Sequence, residues 1–154
     1  MKIKKSFLFI FVVCLSVNAL CISAFATDNR SIAHTVYYED GSYTVTTVTT
    51  QSFYTSAKTS TQERSGEKEI QQYDRSNRLV WTFRVHGTFS YDGYSAEATS
   101  ADFSYDIYDS SWSFGGGSAS YSGATATADG SFIYRFVSHP VSLSLTCSPK
   151  GVLS

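Results

Sequence analysis

The sequence predicts an all-β protein, an antiparallel β-sandwich, and three observations support this prediction. Apolar and polar residues alternate along most of the chain after residue 26, as they do on a strand with one buried face. Turn signals recur at intervals of roughly 8 to 15 residues. Outside the N-terminal segment, no window shows the 3.6-residue apolar repeat of a helix. An immunoglobulin-like arrangement is one form that such a sandwich could take.

Residues 1–26 have the pattern of a secretory signal peptide with an apolar helical centre. Lys2, Lys4 and Lys5 give a positive start, and an uncharged apolar run begins at Phe7. Small residues then stand at the −3 and −1 positions of a cleavage site in Ala-Phe-Ala, residues 24–26. We expect cleavage before Thr27 and a mature chain of residues 27–154.

An uncleaved membrane anchor is the alternative reading of the same segment, because its apolar run approaches the length that spans a bilayer. Ser16, Asn18 and Ser23 make the run polar for a durable span, so we expect no membrane anchor after cleavage. Cys14 and Cys21 do not follow small residues, as a lipidated cysteine normally would.

Composition narrows the function classes. The full chain of 154 residues has a formal charge of −1, and loss of the three N-terminal lysines makes the mature chain more acidic. This balance argues against a nucleic-acid partner, which requires a basic face. Aromatic residues make up 16% of the chain, which argues against disorder. We expect one domain over residues 27–154.

The first half of the mature chain predicts three strands. The Thr-rich strand is the longest of them, and its role is not evident from its sequence. A charged Ser-Gly segment suggests a loop before the third strand. The predicted strands are residues 34–38, 42–55 and 68–73, separated by a turn at 39–41 and a loop at 63–68 and followed by a turn at 74–77.

The middle of the chain predicts a long hairpin. Residues 79–91 alternate, and we expect the larger side chains of one phase to face the core. The Asp92-Gly93 pair predicts a two-residue type I′ turn, in which both positions have positive φ. Residues 94–108 form the returning strand. The core phase of the first strand contains Trp81, Phe83, Val85, Gly87, Phe89 and Tyr91.

The last part of the chain predicts three further strands. Residues 109–111 form a turn, Trp112 opens a strand, and the triple glycine at 115–117 predicts a bulge or bend in it. Another tight turn is expected at Ser122-Gly123. A strand over residues 124–137 then ends at a break at His139-Pro140, and the last strand covers residues 141–147.

Cys147 is the single cysteine of the mature chain, so it cannot form an internal disulfide. It is in phase with Val141, Leu143 and Leu145, so we expect a buried thiol. A disulfide between two chains remains an alternative.

Five parts of the chain from residue 80 onward carry a resemblance, and they are Trp81 and residues 85–93, 107–112, 118–123 and 144–154. Together they resemble an uncharacterised family of small secreted proteins of Gram-positive anaerobic bacteria. The resemblance implies a compact all-β domain without a known activity. Such proteins often carry a second cysteine after the first glycine turn, where this chain has Ser-Ala-Glu-Ala at 95–98, so the implied bridge to Cys147 cannot form.

A search for catalytic or metal-binding patterns gives no candidate. His34, His86 and His139 form no pair with metal-ligand spacing. Asp102 and Asp106 share a strand face but lie about 13 Å apart, too far for a glycosidase pair. We therefore expect no enzyme activity, no cofactor and no metal.

Aromatic side chains are the remaining candidates for a binding surface, because they combine stacking area with a polar group. Trp112 lies between a turn and the glycine run, Tyr94 lies at the predicted hairpin tip, and Tyr121 lies before the next turn. The alternative is that these rings simply cover the edges of a soluble sheet.

The leading functional hypothesis is a secreted, non-catalytic extracellular or cell-envelope interaction protein, whose partner is an unknown extracellular protein or glycan. The alternative is a carbohydrate-binding module that uses Trp112 and nearby tyrosines. A third hypothesis is a membrane-active β-hairpin protein, suggested by the Thr-rich segment 45–53.

Overall fold

A computed structural model describes residues 32–52 and 61–154, and these residues form eight β-strands and no helix. The predicted signal peptide lies outside the described residues, as does the end of the predicted Thr-rich strand. The strands are β1 (Ile32–Tyr37), β2 (Tyr43–Ser52), β3 (Gln62–Tyr73), β4 (Leu79–Tyr91), β5 (Ala96–Ile107), β6 (Trp112–Ser122), β7 (Thr125–Tyr134) and β8 (Val137–Thr146).

Two antiparallel sheets pack against each other, which confirms the predicted β-sandwich. The first sheet has the order β1-β2-β3-β4-β5 and the second has the order β6-β7-β8. Each sheet is therefore a meander of consecutive strands. Immunoglobulin domains instead have Greek-key connections between their sheets, so the immunoglobulin-like option is wrong for the described strands.

Strand β4 has the predicted bounds and the predicted buried phase, including Trp81, Phe83 and Phe89. The turn that follows differs from the prediction. Tyr91 pairs with Ala96, so the loop has four residues, and of Asp92 and Gly93 only the glycine has a positive φ. The Asp92 carboxylate accepts hydrogen bonds from the backbone N–H groups of Tyr94 and Ser95 (2.9 and 2.7 Å), which favours this wider loop over a type I′ turn.

The loop predicted at residues 63–68 is wrong, because this segment is part of β3. Gly66 is paired with Gly87 of β4 and with Thr50 of β2. A Cβ atom at Gly66 would lie 2.3 Å from the Leu153 side chain. The glycine therefore allows a distant segment to pack closely, which its neighbours in sequence do not reveal.

The predicted break at His139-Pro140 is also wrong. The chain turns earlier, at Arg135 and Phe136, whose φ angles of 48° and 67° are both positive, as a two-residue hairpin loop requires. Pro140 lies within β8, opposite Ser131. The turn was missed because Arg-Phe lacks the Asn-Gly chemistry of such loops.

Two further local predictions are confirmed. The register of β6 against β7 shifts between Phe114 and Gly116, and Gly116 has a φ of 120°, so the glycine run contains the expected bulge. Ser122 pairs with Thr125, which places a tight turn after Ser122.

The core lies between the inner faces of the two sheets. Trp81 of β4 stacks on Phe132 of β7, with ring centroids 4.1 Å apart, and Phe83 packs edge-on against the same ring. Cys147 is buried among these apolar residues with a free thiol, as predicted.

The first sheet is wider than the second, and this mismatch leaves one side of the sandwich open. β8 packs against β3 and β4, whereas β1 and β2 make no comparable contact with the second sheet. At one end the C-terminal segment 147–154 closes this side. Thr146 and Ser154 exchange two backbone hydrogen bonds of 3.0 Å, and Leu153 is buried against Gly66.

Candidate binding cleft

At the other end the open side forms a cleft of about 1020 Å³, which we call the end cleft. Four turns meet at this end of the sandwich, at residues 38–42, 74–78, 108–111 and 135–136. The volume is near the upper limit of ordinary ligand pockets. The cleft therefore arises from the difference in width between the two sheets.

The inner face of the first sheet forms the floor of the end cleft. Thr44, Ile70 and Gln72 contribute to it from β2 and β3, and Trp81 contributes from β4. These residues belong to one face because Thr44 pairs with Gln72 and Gln72 pairs with Trp81. The floor is therefore of mixed polarity, with apolar surface next to an amide and a hydroxyl.

The second sheet supplies an aromatic wall. The ring of half-buried Trp112 stacks on Tyr134 at 4.9 Å, and the His139 ring lies 5.0 Å from Trp112. Trp81 meets the Trp112 ring edge-on at 6.4 Å. Because each ring is held by another, the wall is preorganised for contact with a flat or apolar ligand surface.

The rim of the cleft is formed by turns that aspartates stabilise. Asp74 accepts hydrogen bonds from the backbone N–H groups of Ser76 and Arg78, at 2.8 and 2.9 Å, and forms an ion pair with the Arg78 guanidinium. Asp40 accepts hydrogen bonds from the hydroxyl and N–H of Ser42. These hydrogen bonds lower the pKa of both carboxyl groups. The largest cause is the backbone N–H of Arg78 for Asp74 and the Ser42 hydroxyl for Asp40.

The same is true of Asp109, the third aspartate of the rim. It accepts the backbone N–H of Ser111 at 2.9 Å, and this bond is the main cause of its lowered pKa. The three aspartates are therefore ionised at neutral pH and fixed in position. Their first role is to hold the turns, which is a structural role that requires no ligand.

Trp81 carries a further feature of interest. Its side chain is only 5% exposed, and its indole Nε1–H has no hydrogen-bond partner among the residues that the structure describes. A buried donor without a partner is rare, because losing its hydrogen bond to water is costly. Trp81 lines the end cleft with part of its surface, although the Nε1 atom itself is buried.

The edge of β8 borders the cleft, and it is protected against strand addition. The backbone N–H and C=O of Thr146 face the free edge of β8, where they form hydrogen bonds with Ser154. Because every second residue of a strand has its backbone groups on the same side, the backbone groups of Ser144 and Pro140 face this edge too. The Lys68 ammonium donates to the Ser144 carbonyl at 3.1 Å, and Pro140 has no N–H to offer. Proline and an inward-pointing lysine are known edge protections. An extended peptide strand is therefore disfavoured as the occupant of the cleft.

The three binding residues suggested by sequence do not form one site. Trp112 lies in the end cleft, but Tyr94 and Tyr121 lie at the opposite end of the sandwich. Nine strand steps along β6 separate Trp112 from Tyr121, a distance of roughly 30 Å. Tyr94 is 94% exposed in the β4–β5 loop. Neither tyrosine has a ring partner within the described part of the chain.

Other candidates lie outside the cleft. His86 contacts Ser104 and Glu67 on the outer face of the first sheet. Asp106 is paired with the Arg84 guanidinium, and Asp102 bonds the N–H of the next residue. In residues 32–52 and 61–154 no three His, Cys, Asp or Glu side chains come together as metal ligands.

Most of the cleft was missed from sequence because its residues come from six strands and three turns. Tyr38, Ile70 and Val141 are far apart in the chain and carry no local signal. Tyr134 was predicted as an alternating strand residue and counted among the chain's many tyrosines, but its sequence context did not assign it to a site. The signal that could have found it is its pairing with Trp112, which requires knowledge of the sheet order.

Comparison with known proteins adds no relative. No protein-family model matches the chain, and neither a curated protein nor a solved structure matches it. Within the described residues there is no helix that is long and apolar enough to cross a membrane.

Proposed function

We propose that the protein is an exported, non-catalytic binding protein whose ligand occupies the end cleft. One observation carries the proposal: a large cleft at one end of the sandwich contains a preorganised aromatic wall. Large concave sites with a few fixed polar groups are the usual places for ligands.

Export is supported by the pattern of residues 1–26, and the resemblance described above favours a Gram-positive cell as the source. The partner would then be an extracellular protein or glycan at the cell envelope or in the medium. The acidic balance of the mature chain gives no attraction to nucleic acid.

A non-catalytic role is supported by the use of the charged residues around the cleft. The carboxylates of Asp40, Asp74 and Asp109 are committed to turn hydrogen bonds, and their pKa values are lowered. A general acid needs a pKa raised toward the working pH instead. The rim aspartates are thus suited to holding a ligand by accepted hydrogen bonds.

A carbohydrate is the second, more specific candidate ligand, and the composition of the cleft favours it. Rings such as Trp112 and Tyr38 offer apolar faces to a sugar ring, while Gln72 and the rim offer polar groups for hydroxyls. The protected edge of β8 disfavours a peptide that pairs as an added strand, and this favours a glycan over that mode of binding.

The experiment is a glycan array, followed by titration of hits while tryptophan emission is recorded. Because Trp81 and Trp112 both line the cleft, binding there should shift their emission. Replacing His139, an exposed cleft residue, by alanine should weaken binding about tenfold or more, whereas Tyr94→Ala at the opposite end should leave it unchanged.

Absence of binding to glycans, together with constant emission, would remove the carbohydrate candidate. Binding that Tyr94→Ala abolishes and His139→Ala leaves intact would place the ligand elsewhere and contradict the end cleft.

The membrane-active hairpin receives less support. Strand β2, which holds most of the segment that suggested it, is paired along its length with β1 on one side and β3 on the other. Rearrangement would break both ladders. A liposome-leakage assay without dye release would dismiss this hypothesis.

A further inference from the structure

The β7–β8 turn carries an aromatic residue where the fold does not require one. Phe136 is fully exposed, with a φ of 67°, and Arg135 before it has a φ of 48°. Glycine or asparagine adopts this left-handed region more easily. The residue is therefore unfavourable in both backbone conformation and solvation, a combination that suggests a function.

The neighbours of Phe136 extend this feature. Val137 is also exposed, and the Arg135 guanidinium lies 5.2 Å from the Tyr134 ring centroid. We call Arg135, Phe136 and Val137 the hairpin tip. It presents an apolar surface with one positive charge.

The end cleft is complementary to the hairpin tip. Its wall is aromatic, and its rim carries four carboxylates against two guanidinium groups, so it is negative overall. The carboxylates are those of Glu39, Asp40, Asp74 and Asp109, and the guanidinium groups are those of Arg75 and Arg78. A cleft of about 1020 Å³ is large enough to admit a phenylalanine side chain.

The tip of one molecule does not enter its own cleft. The direct pairing of Tyr134 with Val137 fixes the two-residue turn, and full exposure of Phe136 shows that it lies outside the cleft. Tip and cleft nevertheless lie at the same end of the sandwich. Two copies facing each other end to end can therefore exchange their tips about a twofold axis.

We propose that the protein forms a symmetric, end-to-end dimer in which the hairpin tip of each copy occupies the end cleft of the other. Each contact places Phe136 against an aromatic wall and Arg135 near an acidic rim. Only one end of a small sandwich is buried, less than the roughly 800 Å² per partner of a standard interface, so the dimer is weak and concentration-dependent. The dimer does not depend on the cleft also having a soluble ligand.

Sedimentation equilibrium of the purified protein over a range of concentrations tests this dimer, with tryptophan emission as a second readout. Phe136→Gly should raise the dissociation constant at least about tenfold, as loss of a central anchor does. Arg135→Glu should weaken the dimer more at low salt than at high salt, because salt screens the repulsion between the new carboxylate and the acidic rim. Tyr94→Gly removes an equally exposed aromatic from a loop at the opposite end and should change nothing.

A thermal unfolding curve shows that each variant is folded, and glycine suits the backbone at residue 136. A monomer at all concentrations, or a dimer that Phe136→Gly leaves intact, would overturn the proposal. So would a monomer that binds phosphatidylcholine vesicles through Phe136, which would assign the tip to a lipid surface. Glycan binding to a protein that stays monomeric would support the proposed function and would still contradict the proposed dimer.

Discussion

At the scale of single residues, Cys147 is a free cysteine within the buried core. The residue is 2% exposed and begins the C-terminal segment, where its backbone forms a β-bridge with Leu153. Burial raises the pKa of this thiol, although Arg64 acts in the opposite direction. Since only the thiolate reacts readily, the thiol is protected both by access and by protonation.

We predict that Cys147 of the folded protein reacts with a disulfide reagent at least about 100-fold more slowly than in unfolded protein, because reaction requires opening. Absorbance of the released thiol, measured with and without denaturant, checks this. Rapid reaction of folded protein, or a chain-to-chain disulfide in non-reducing electrophoresis, would favour the alternative of intermolecular pairing.

At the scale of elements, four turns are stabilised by the same kind of aspartate hydrogen bond. Asp40, Asp74, Asp92 and Asp109 each accept a backbone N–H two residues later, which closes the turn. These hydrogen bonds are stronger when the accepting carboxylate is ionised. The backbone N–H of Ser95 is the largest cause of the lowered pKa of Asp92. Backbone N–H groups are likewise the largest cause for Asp74 and Asp109, whereas for Asp40 it is the Ser42 hydroxyl.

We predict that the folded protein loses stability as the pH falls below about 5 toward 2. A lowered pKa in the folded state means that the stabilisation is complete above the ordinary value of 3.8 and is lost as the turn aspartates protonate. Unfolding temperatures measured across this range check it. Asp92→Ala should lower stability at pH 7 and flatten the pH dependence, whereas Tyr94→Ala in the same loop removes no carboxylate and should leave the slope unchanged.

The edge of β8 gives a second prediction at this scale. Pro140→Thr adds a backbone N–H donor at the free edge, and Lys68→Ala removes the ammonium group that donates to the Ser144 carbonyl. We expect the double variant to self-associate through strand pairing, with each single change altering the free energy of unfolding by less than about 1 kcal/mol. Light scattering measures the association. The association should persist when Phe136→Gly is added, because it does not use the hairpin tip.

Sequence predicted the elements whose signals are local. The bounds of β4 follow from strict alternation between turn residues, and the bulge at Gly116 follows from the glycine run. The β7–β8 turn escaped because Phe132, Tyr134 and Phe136 keep alternating through it. Gly66 looked like a loop residue from its sequence context. The feature that requires a glycine there is close packing against the Leu153 side chain, which lies 87 residues later in the sequence.

The candidate site was less predictable for the same physical reason. Trp112 could be selected because it follows a turn, but the cleft exists only because five strands face three. That difference is a property of strand order, which alternation does not encode. Tyr94 and Tyr121 were equally plausible by sequence and lie at the opposite end.

At the scale of the molecule, the two ends of the sandwich are closed differently, and the C-terminal segment makes the difference. Leu153 is 4% exposed and packs on Gly66 of β3, and Arg64 of the same strand donates to the Gly151 carbonyl. The segment thereby joins the edge of the second sheet to the inner face of the first. At the end cleft no corresponding segment of the described chain does so.

We predict that Leu153→Ala costs about 2 to 5 kcal/mol of unfolding free energy, because it removes a buried side chain at the junction of both sheets. Val152→Ala is the matched control, since Val152 is 53% exposed and should change stability by less than about 0.5 kcal/mol. Denaturant unfolding followed by tryptophan emission measures both. Trp81 lies in the same core, so emission reports the loss even though it arises at the other end. A small effect of Leu153→Ala would mean that the segment only rests on the sandwich, and that the two sheets hold together without it.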